Sequence, residues 1–332
     1  MSKNSFRVYC LGGCGLNIST QLSLPNDITY LPNSYIGRVD TSESNVITNN
    51  DSLLFLIPGV DGSGKKQSFT YAVAVPYIDA ILLEQPPKDF NVVVFSLGGG
   101  TGSVLGPLII KELLTRKIPV VGIVVESTGS LIESENCLRA LASLQSVSQS
   151  VVKKPIAISI HKNGKSIPEQ QINSIITDEI KALAMLTSGA NKGLDTKDIE
   201  NWLNFPLTTK VSPQLVELVI GFAGKDTPYV VQNDLKAISV ASLLTTREDG
   251  EVDKELDTLA LYQTVGHSPK ITQDSTSVSV SSIHCILTTS YLANRINNLK
   301  QTVILYEEEQ KAIIEEKTME FGLDINTDGF CF

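Results

Sequence analysis

Runs of Val, Ile and Leu recur through the first half of the chain, and they constrain its fold more than any other feature. Val92 to Leu97, Val120 to Val125 and Ile156 to Ile160 contain almost no polar residues. Such runs are typical of strands covered on both faces, as in parallel sheets. Helical patterns lie between them, at Pro107 to Leu114 and Cys137 to Val147. The sequence therefore predicts an α/β fold with a mostly parallel, Rossmann-like sheet covered by helices on both faces.

Three earlier apolar runs, Phe6 to Leu11, Ser34 to Val39 and Leu53 to Ile57, extend the same sheet toward the amino terminus. After the sixth run, residues 166–190 form one long amphipathic segment in which apolar residues recur every three or four positions. That spacing predicts a connecting helix of about six to seven turns.

The composition then shifts toward Ser, Thr and Val. Ala237 to Leu244, Leu259 to Val265 and Ser277 to Leu287 alternate with period two, which predicts half-buried strands of a second, smaller sheet. A helix from about Thr289 to Phe321 follows, with an apolar stripe that fades in its final part. The second half therefore reads as a smaller α+β domain with a C-terminal helix and tail.

The chain is acidic, with 27 Lys and Arg against 36 Asp and Glu, a net charge of −9. This balance argues against non-specific binding to nucleic acid or to an anionic membrane. Residues 307–332 hold eight acids and two lysines, so 2 − 8 = −6 of that charge lies at one end. This segment is either a solvated helix end and tail or an acidic arm for a basic groove. The terminal Phe330 and Phe332 favour the arm, since exposed aromatic side chains gain nothing from water.

Five cysteines are scattered without a C-x-x-C pair, so the sequence predicts neither a disulfide framework nor a zinc site. The amino terminus has no signal-peptide pattern, and no apolar run approaches the roughly 18 residues of a membrane span. We therefore expect a soluble protein of the cytoplasm with reduced thiols.

Two glycine-rich turns follow predicted strands. Gly12-Gly13-Cys14-Gly15 comes after the first strand, and Gly98-Gly99-Gly100-Thr101-Gly102-Ser103 comes after the fourth. Glycines let the backbone approach an anion with its N–H groups inward, and the helix that follows adds its positive end. Both turns therefore predict phosphate binding. The first turn does not complete G-x-G-x-x-G, because Ile18 stands where the last glycine belongs.

The second turn resembles the G-G-G-T-G-[ST] signature loop of the tubulin/FtsZ superfamily of GTPases. The family's other nucleotide loops have counterparts here in the same order, including the E-x-x-N spacing of the ribose loop, where Glu135 is a rival to Glu133. The resemblance implies GTP or GDP with Mg²⁺ as cofactor, guanine contacts from Asn17 and Asn173, and no metal ligand that we can assign. The nucleotide-binding residues implied by the resemblance are Gly12, Gly13, Cys14, Gly15, Asn17, Asp40, Thr41, Asp61, Gly62, Ser63, Gly98, Gly99, Gly100, Thr101, Gly102, Ser103, Glu133, Asn136 and Asn173.

Leu194-Asp195-Thr196-Lys197-Asp198 resembles the D-x-x-D synergy loop of the same family. In that family the loop enters the nucleotide site of the next subunit and places the attacking water, so the resemblance implies that Asp195 and Asp198 are catalytic. The same spacing also suits the N-cap of a helix. The two roles are compatible.

The resemblance implies a polar homopolymer whose GTPase activity rises on assembly. The short acidic tail favours the phage-encoded, PhuZ-like branch, which implies a filament in the host bacterial cytoplasm that positions phage DNA or the replication compartment, with DNA or capsid cargo held through adaptors. Plasmid-type and division-type filaments, and a filament without turnover, remain alternatives. The implied division of the chain is a GTP-binding domain at 1–165, the connecting helix at 166–190, the synergy loop and following helix at 191–205, a second domain at 206–288, and the C-terminal helix and tail at 289–332.

Two other nucleotide-binding classes fit less well. Gly59 to Lys65 matches G-x-x-x-x-G-K of a P-loop, but Lys66 replaces the Ser or Thr that binds Mg²⁺, and no clear helical pattern follows at once. An NAD-dependent oxidoreductase would need the missing third glycine, although Asp40 could stand for its ribose-binding acid.

Overall fold

The computed structural model describes residues 6–22, 35–45, 54–163, 167–187, 191, 193–224, 235–244, 260–268 and 280–320. Its strands are β1 (Phe6–Leu11), β2 (Ile36–Asp40), β3 (Leu54–Leu56), β4 (Phe90–Ser96), β5 (Val120–Glu126), β6 (Ile156–Lys162), β7 (Leu215–Gly224), β8 (Ala237–Leu244), β9 (Tyr262–His267) and β10 (Val280–Thr288). Its α-helices are α1 (Gly12–Leu22), α2 (Gln67–Ala74), α3 (Ile78–Glu84), α4 (Gly102–Thr115), α5 (Leu131–Ser146), α6 (Glu169–Thr187), α7 (Thr196–Leu203) and α8 (Leu292–Glu320).

The described strands form one sheet in the order β3-β2-β1-β4-β5-β6-β7-β10-β8-β9. From β3 to β7 all neighbours are parallel, whereas β10 is antiparallel to both β7 and β8. The mostly parallel sheet is as predicted, but the expectation of a separate second sheet is wrong. Strand β7 pairs with β6, with Leu215 opposite Ile156, and this pairing joins the two halves of the sheet. The period-two pattern misses β7 because the sequence of this strand is almost wholly apolar.

Alternate residues of the central strands face two different cores. Val92 and Val94 of β4 pack in one core with α1, α6 and α7. Val93 and Phe95 pack in the other with α3, α4, α5 and the first part of α8. Both faces of β4 are thus buried, which is why its sequence shows a continuous apolar run rather than alternation.

Helix α6 is shorter than the predicted 166–190. It begins at Glu169 because Pro168 precedes it, and the Pro168 carbonyl accepts hydrogen bonds from the N–H groups of Gln171 and Ile172. Its 19 residues correspond to a length of about 28 Å. Residues 164–166 and 188–190 lie outside the described residues.

Contrary to the sequence reading, a helix does follow the Gly59 to Lys65 turn. Helix α2 starts at Gln67, whose side-chain amide donates to Ser103 Oγ at 2.9 Å and to the Asn136 carbonyl at 3.2 Å. These tertiary contacts fix the first turn of α2, which has no side-chain N-cap. Lys66 still occupies the position that a P-loop gives to Ser or Thr.

Helix α8 confirms the predicted C-terminal helix. Leu292 and Leu299 are buried, and the Tyr306 hydroxyl donates to the Thr128 carbonyl at 2.8 Å. Residues 307–316 are all exposed. The tail from 321 to 332, with Asp324, Asp328 and the terminal phenylalanines, lies outside the described residues. No helix in the described ranges is long and apolar enough to cross a membrane.

Candidate functional site

A cavity of about 200 Å³ lies at the carboxyl ends of β1, β2 and β4. Strand β1 is hydrogen-bonded to β2 on one side and to β4 on the other, so the direction of strand order reverses at this point. In open α/β sheets such a switch point creates a crevice where ligands bind. The cavity is lined by Leu11, Gly12, Gly13, Cys14, Asp40, Ser42, Asn45, Gly62, Ser63, Ser96, Gly99, Gly100, Thr101 and Gly102.

Both glycine-rich turns lead into helices that begin at this cavity. Helix α1 starts at Gly12 and α4 starts at Gly102, so two sets of unpaired backbone N–H groups converge there. The turns also touch: a Cβ on Gly12, whose φ is +66°, would lie 3.0 Å from the Gly102 nitrogen. Two helix N-termini at one cavity provide the charge and the donors that a phosphate chain requires.

The end of β2 supplies the buried carboxylate of the cavity. Asp40 accepts hydrogen bonds from the Thr41 N–H at 2.7 Å and from Asn45 Nδ2 at 2.8 Å. Burial raises the pKa of Asp40, and the hydrogen bonds from Asn45 and Thr41 only partly offset this. Thr41 lies behind the cavity, where its hydroxyl is 2.7 Å from the Thr101 hydroxyl and ties β2 to the signature turn.

The turn after β3 closes over the signature turn. The Gly62 N–H donates to the Thr41 carbonyl at 2.8 Å, which brings Gly62 and Ser63 to the cavity wall. A Cβ on Gly100 would lie 2.9 Å from Lys65 Cα and closer still to the Ser63 hydroxyl. The exposed Asp61 carboxylate accepts from Ser42 Oγ at 3.1 Å and anchors the turn instead of lining the cavity.

The two candidate ribose residues occupy different environments. Glu133 accepts from Ser127 Oγ and the Gly129 N–H, both at 3.0 Å, and from Lys65 Nζ at 2.6 Å. Partial burial alone would raise the pKa of Glu133, but the hydrogen bonds and charge of these neighbours outweigh it and lower the pKa overall. Its rival Glu135 pairs with Arg139 at 2.9 Å and faces a different cavity.

Asn136 supports the signature turn from behind. Its buried amide donates to the Gly98 carbonyl at 3.1 Å and to the Lys65 carbonyl at 3.0 Å. Four predicted residues therefore surround the turn without lining the cavity: Gly98, Ser103, Glu133 and Asn136. Gly15 does not line the cavity either, and a Cβ there would clash with the backbone of Cys10.

Asn17 and Asn173 lie on two helices that meet beside the cavity. Asn17 on α1 donates to Glu169 Oε1 of α6 at 3.3 Å, and Asn173 lies one turn further along α6. Glu169 was not among the predicted residues. Burial, with a smaller contribution from the charge of Glu169, raises the pKa of the Cys14 thiol to about 12. This thiol is therefore protonated at neutral pH and is no nucleophile.

The remaining wall residues, Leu11, Ser42, Asn45 and Ser96, were missed by the sequence reading. Each stands within five residues of a predicted one, at the end of a strand or just beyond it. Counting outward from the strand ends would have found them.

Asp195 and Asp198 form a capping box at the start of α7. Asp195 Oδ1 accepts from the N–H groups of Lys197 and Asp198, at 2.7 and 2.9 Å, and Asp198 Oδ2 accepts from the Asp195 N–H at 3.1 Å. The Tyr262 hydroxyl of β9 lies 3.5 Å from Asp198 Oδ1. Asp195 is exposed and Asp198 half-buried.

The structure does not bring these two carboxylates to the glycine-lined cavity. Thr196 lines another cavity together with Lys88, Pro119 and Pro155, which stand just before β4, β5 and β6. The start of α7 therefore lies at the amino edge of the sheet, and the glycine turns lie at the carboxyl edge. Helix α6, about 28 Å long, runs between these two edges.

In the described ranges no group of three His, Cys, Asp or Glu side chains could hold a metal ion. The oxygen donors at the cavity, the Asp40 carboxylate and the Ser42 and Thr101 hydroxyls, are of the kind that Mg²⁺ prefers alongside phosphate oxygens and water. These residues therefore fit Mg²⁺ that arrives with a phosphate chain.

Comparison with known proteins finds related phage proteins. Residues 194–290 match the family model described as the C-terminal domain of phage tubulin-like proteins. A phage tubulin-like protein of Pseudomonas phage PhiPA3 is 31% identical over 245 residues, 73% of this chain and 74% of the relative.

Solved structures of phage tubulins are also similar to this chain. A protofilament of TubZ from bacteriophage PhiKZ is 25% identical with a TM-score of 0.79, over 98% of this chain and 95% of that one. The phage tubulin PhuZ in its GDP form is 25% identical with a TM-score of 0.79, over 92% of both chains. The identity and coverage of the PhiPA3 relative place this chain in the family of phage tubulin-like proteins.

Proposed function

We propose that this protein is a GTPase that assembles head to tail into polar filaments and hydrolyses GTP between subunits. The observation that carries this proposal is the division of the site. The glycine-rich turns lie at the carboxyl edge of the sheet, while the two matched carboxylates lie at the amino edge, and α6, about 28 Å long, runs between the two edges. A head-to-tail contact joins opposite edges of successive copies and builds an open polymer.

In the proposed binding mode the backbone N–H groups of Gly12 to Gly15 and Gly99 to Ser103 hold the phosphates. Asp40 and neighbouring hydroxyls would hold Mg²⁺, which would neutralise charge on the phosphate oxygens. Asn17 and Asn173 would contact guanine, and Glu133 would accept from the ribose hydroxyls. The relative solved in its GDP form supports a guanine nucleotide in this fold.

Hydrolysis needs a water aligned with the γ-phosphate, and Asp195 and Asp198 of the same chain lie at the opposite edge of the sheet from the glycine-lined cavity. In a polymer, Asp195 and Asp198 of the next copy would accept hydrogen bonds from that water. The water would then attack the γ-phosphorus in line. The bond between that phosphorus and the oxygen that bridges it to the β-phosphate would break, and GDP and phosphate would leave.

Helix α8 supports a second contact between copies. It starts near the amino edge, where Thr288 pairs with Glu217, and reaches Thr128 just beyond the carboxyl end of β5. The continuation of α8, residues 307–320, extends for about 21 Å at 1.5 Å per residue, and its residues 307–316 are exposed. It carries Glu307, Glu308 and Glu309, and its Ile313 is 51% exposed.

We infer that this acidic arm, with the tail that follows it, contacts the neighbouring copy. Deleting residues 323–332 should therefore raise the critical concentration for assembly. An unchanged critical concentration would contradict the arm but leave the GTPase proposal standing. For a phage-encoded filament, the proposed role is to position phage DNA or the replication compartment in the host cytoplasm, with cargo attached through adaptors.

The decisive experiment combines light scattering with phosphate release over a range of protein concentrations after addition of GTP, GDP or ATP. We expect scattering and phosphate release with GTP alone, above a threshold concentration, and a turnover per subunit that rises steeply there. Turnover that stays flat across concentration would rule out hydrolysis between subunits.

A filament that binds nucleotide without turnover is the second candidate, and one observation favours it. Both carboxylates are already engaged in the capping box of α7, so a structural role alone would explain them. Stable GTP-dependent polymer with no phosphate release would support this reading.

A further inference from the structure

A second cavity, of about 920 Å³, lies among α2, α4 and α5 and next to the glycine-lined one. We call it the helix cavity. Its floor is apolar, formed by Val104, Pro107, Leu108 and Val147, and Tyr71 and Ile132 stand at its sides. A volume of this size is within the range of small-molecule sites, which typically combine apolar walls with a few convergent polar groups.

The polar groups at the helix cavity are mainly cations. Among its described lining residues four are cations, Lys65, Lys66, Lys111 and Arg139, and one is an acid, Glu135. Glu135 pairs with Arg139 and Glu133 pairs with Lys65, whereas Lys66 and Lys111 have no ion pair with any described residue. The described lining of the helix cavity is therefore positively charged, although the whole chain carries a net charge of −9. It suits an anionic group.

Three backbone irregularities border this same cavity. Lys65 has a left-handed φ of 60°, Pro107 interrupts the hydrogen bonding of α4, and residues 147–152 form a π-helical turn. A left-handed φ is unfavourable for lysine, a proline is unfavourable inside a helix, and π-helical turns frequently occur at functional sites. Among the described residues these are the one π-helical turn and the one proline inside an α-helix.

The wall between the two cavities is a short chain of hydrogen bonds. Gln67 Nε2 donates to Ser103 Oγ at 2.9 Å and to the Asn136 carbonyl at 3.2 Å. Asn136 Nδ2 in turn donates to the Gly98 carbonyl at 3.1 Å. A ligand that displaced Gln67 would therefore act directly on the signature turn.

We propose that the helix cavity binds an organic anion with an apolar body, such as an aryl sulfonate or an alkyl carboxylate, and that its occupancy changes nucleotide affinity through Gln67. The coupling rests on the proposed nucleotide site. The binding of the anion does not. Since the linkage is thermodynamic, the nucleotide must change anion affinity by the same factor.

The probe is the aryl sulfonate 8-anilinonaphthalene-1-sulfonate, titrated by fluorescence into the full-length protein without nucleotide. Lys111→Glu, which reverses a charge at the rim, and Ala142→Trp, which fills the opening from an exposed position, should each weaken binding about tenfold or more. The control Lys300→Glu makes the same charge change at an exposed position of α8 that lines neither this cavity nor the one at the amino edge, and it should leave affinity within about twofold. Wild-type affinity in both cavity variants, with unchanged circular dichroism, would overturn the site.

Calorimetric titration of GDP with and without the probe tests the coupling. We expect a factor of about five or more, the same in both directions, and we expect Gln67→Ala to bring it close to one. Binding of both ligands without mutual effect would overturn the coupling. Failure of GDP to bind at all would instead count against the proposed function, while the fluorescence result would still decide the anion site.

Discussion

The two edges of the sheet carry opposite kinds of chemistry. At the carboxyl edge glycines bring main-chain N–H groups to the cavity, and Asp40 is the one carboxylate among the lining residues that the structure describes. At the amino edge the relevant groups are two side-chain carboxylates, held by the capping box of α7. In the proposed function one edge holds the phosphate chain and the other orients the water, with α6 between them. On that proposal a single copy is incomplete, and each prediction below tests one edge or the link between them.

The largest effect should come from removing the charges at the amino edge while keeping the cap. Asp195→Asn retains a good N-cap side chain, and Asp198→Asn retains an oxygen that can accept from the Asp195 N–H. If the carboxylates orient water in the next copy, GTP turnover in the polymer should fall about 10²- to 10⁴-fold in each variant.

Circular dichroism and thermal unfolding provide the control for this pair, because the free energy of unfolding should change by less than about 1 kcal/mol when the cap is kept. A variant that folds, assembles and hydrolyses GTP at the wild-type rate would reduce the capping box to a structural feature.

At the carboxyl edge the sharpest contrast is between two neighbouring glycines. Gly100→Ala would force its Cβ against Ser63 and Lys65, whereas the nearest atom to a Cβ on Gly99 is Ser96 Cβ at 3.8 Å, an ordinary contact. We expect Gly100→Ala to lower the free energy of unfolding by about 1–3 kcal/mol, as overpacking does. We expect Gly99→Ala to change it by less than about 1 kcal/mol.

Denaturant unfolding without nucleotide measures both glycine variants, so the result does not depend on what the cavity binds. Equal stabilities would mean that the turn after β3 does not close over Gly100.

The two edges also differ in how far the sequence predicts them. The glycine turns were located correctly because each is a local pattern that directly follows a buried strand, as Gly98 to Ser103 follows β4. Glu169 was not predicted, because its contact with Asn17 depends on how α6 packs against α1 across 152 positions. The single sheet was missed because it depends on one pairing, between β6 and β7, that no local pattern encodes. The opposite placement of Asp195 and the glycine turns likewise follows from the direction of α6 and not from spacing.

A smaller effect should come from the residue that contacts Asp198 within its own chain. The Tyr262 hydroxyl lies 3.5 Å from Asp198 Oδ1, and burial together with the charge of Asp198 raises the pKa of this phenol, so it stays protonated and can donate. Tyr262→Phe removes that donor and should lower polymer turnover by about two- to tenfold, the equivalent of one modest hydrogen bond.

The contact between Tyr262 and Asp198 is best read with a double-mutant cycle. In the Asp198→Asn background, Tyr262→Phe should have little further effect on turnover. Fully independent effects of the two substitutions would show that Tyr262 acts elsewhere.

The smallest effect should come from Asp40, the buried carboxylate that lies among the backbone N–H groups of the carboxyl edge. Burial raises the pKa of Asp40 above its ordinary value of 3.8, so the ionised form is less favourable in the folded protein than in the unfolded chain. Any stability from this group is therefore complete below pH 3.8 and is lost as the pH rises through the raised pKa.

Asp40→Asn should be more stable than the wild type at neutral pH without nucleotide, and the difference should shrink toward acid pH. Unfolding titrations across that range measure it, with Asp61→Asn, an exposed carboxylate at the same edge, as the control for loss of one negative charge. A wild type that is the more stable protein at neutral pH would mean that the hydrogen bonds from Asn45 and Thr41 outweigh the burial of the charge.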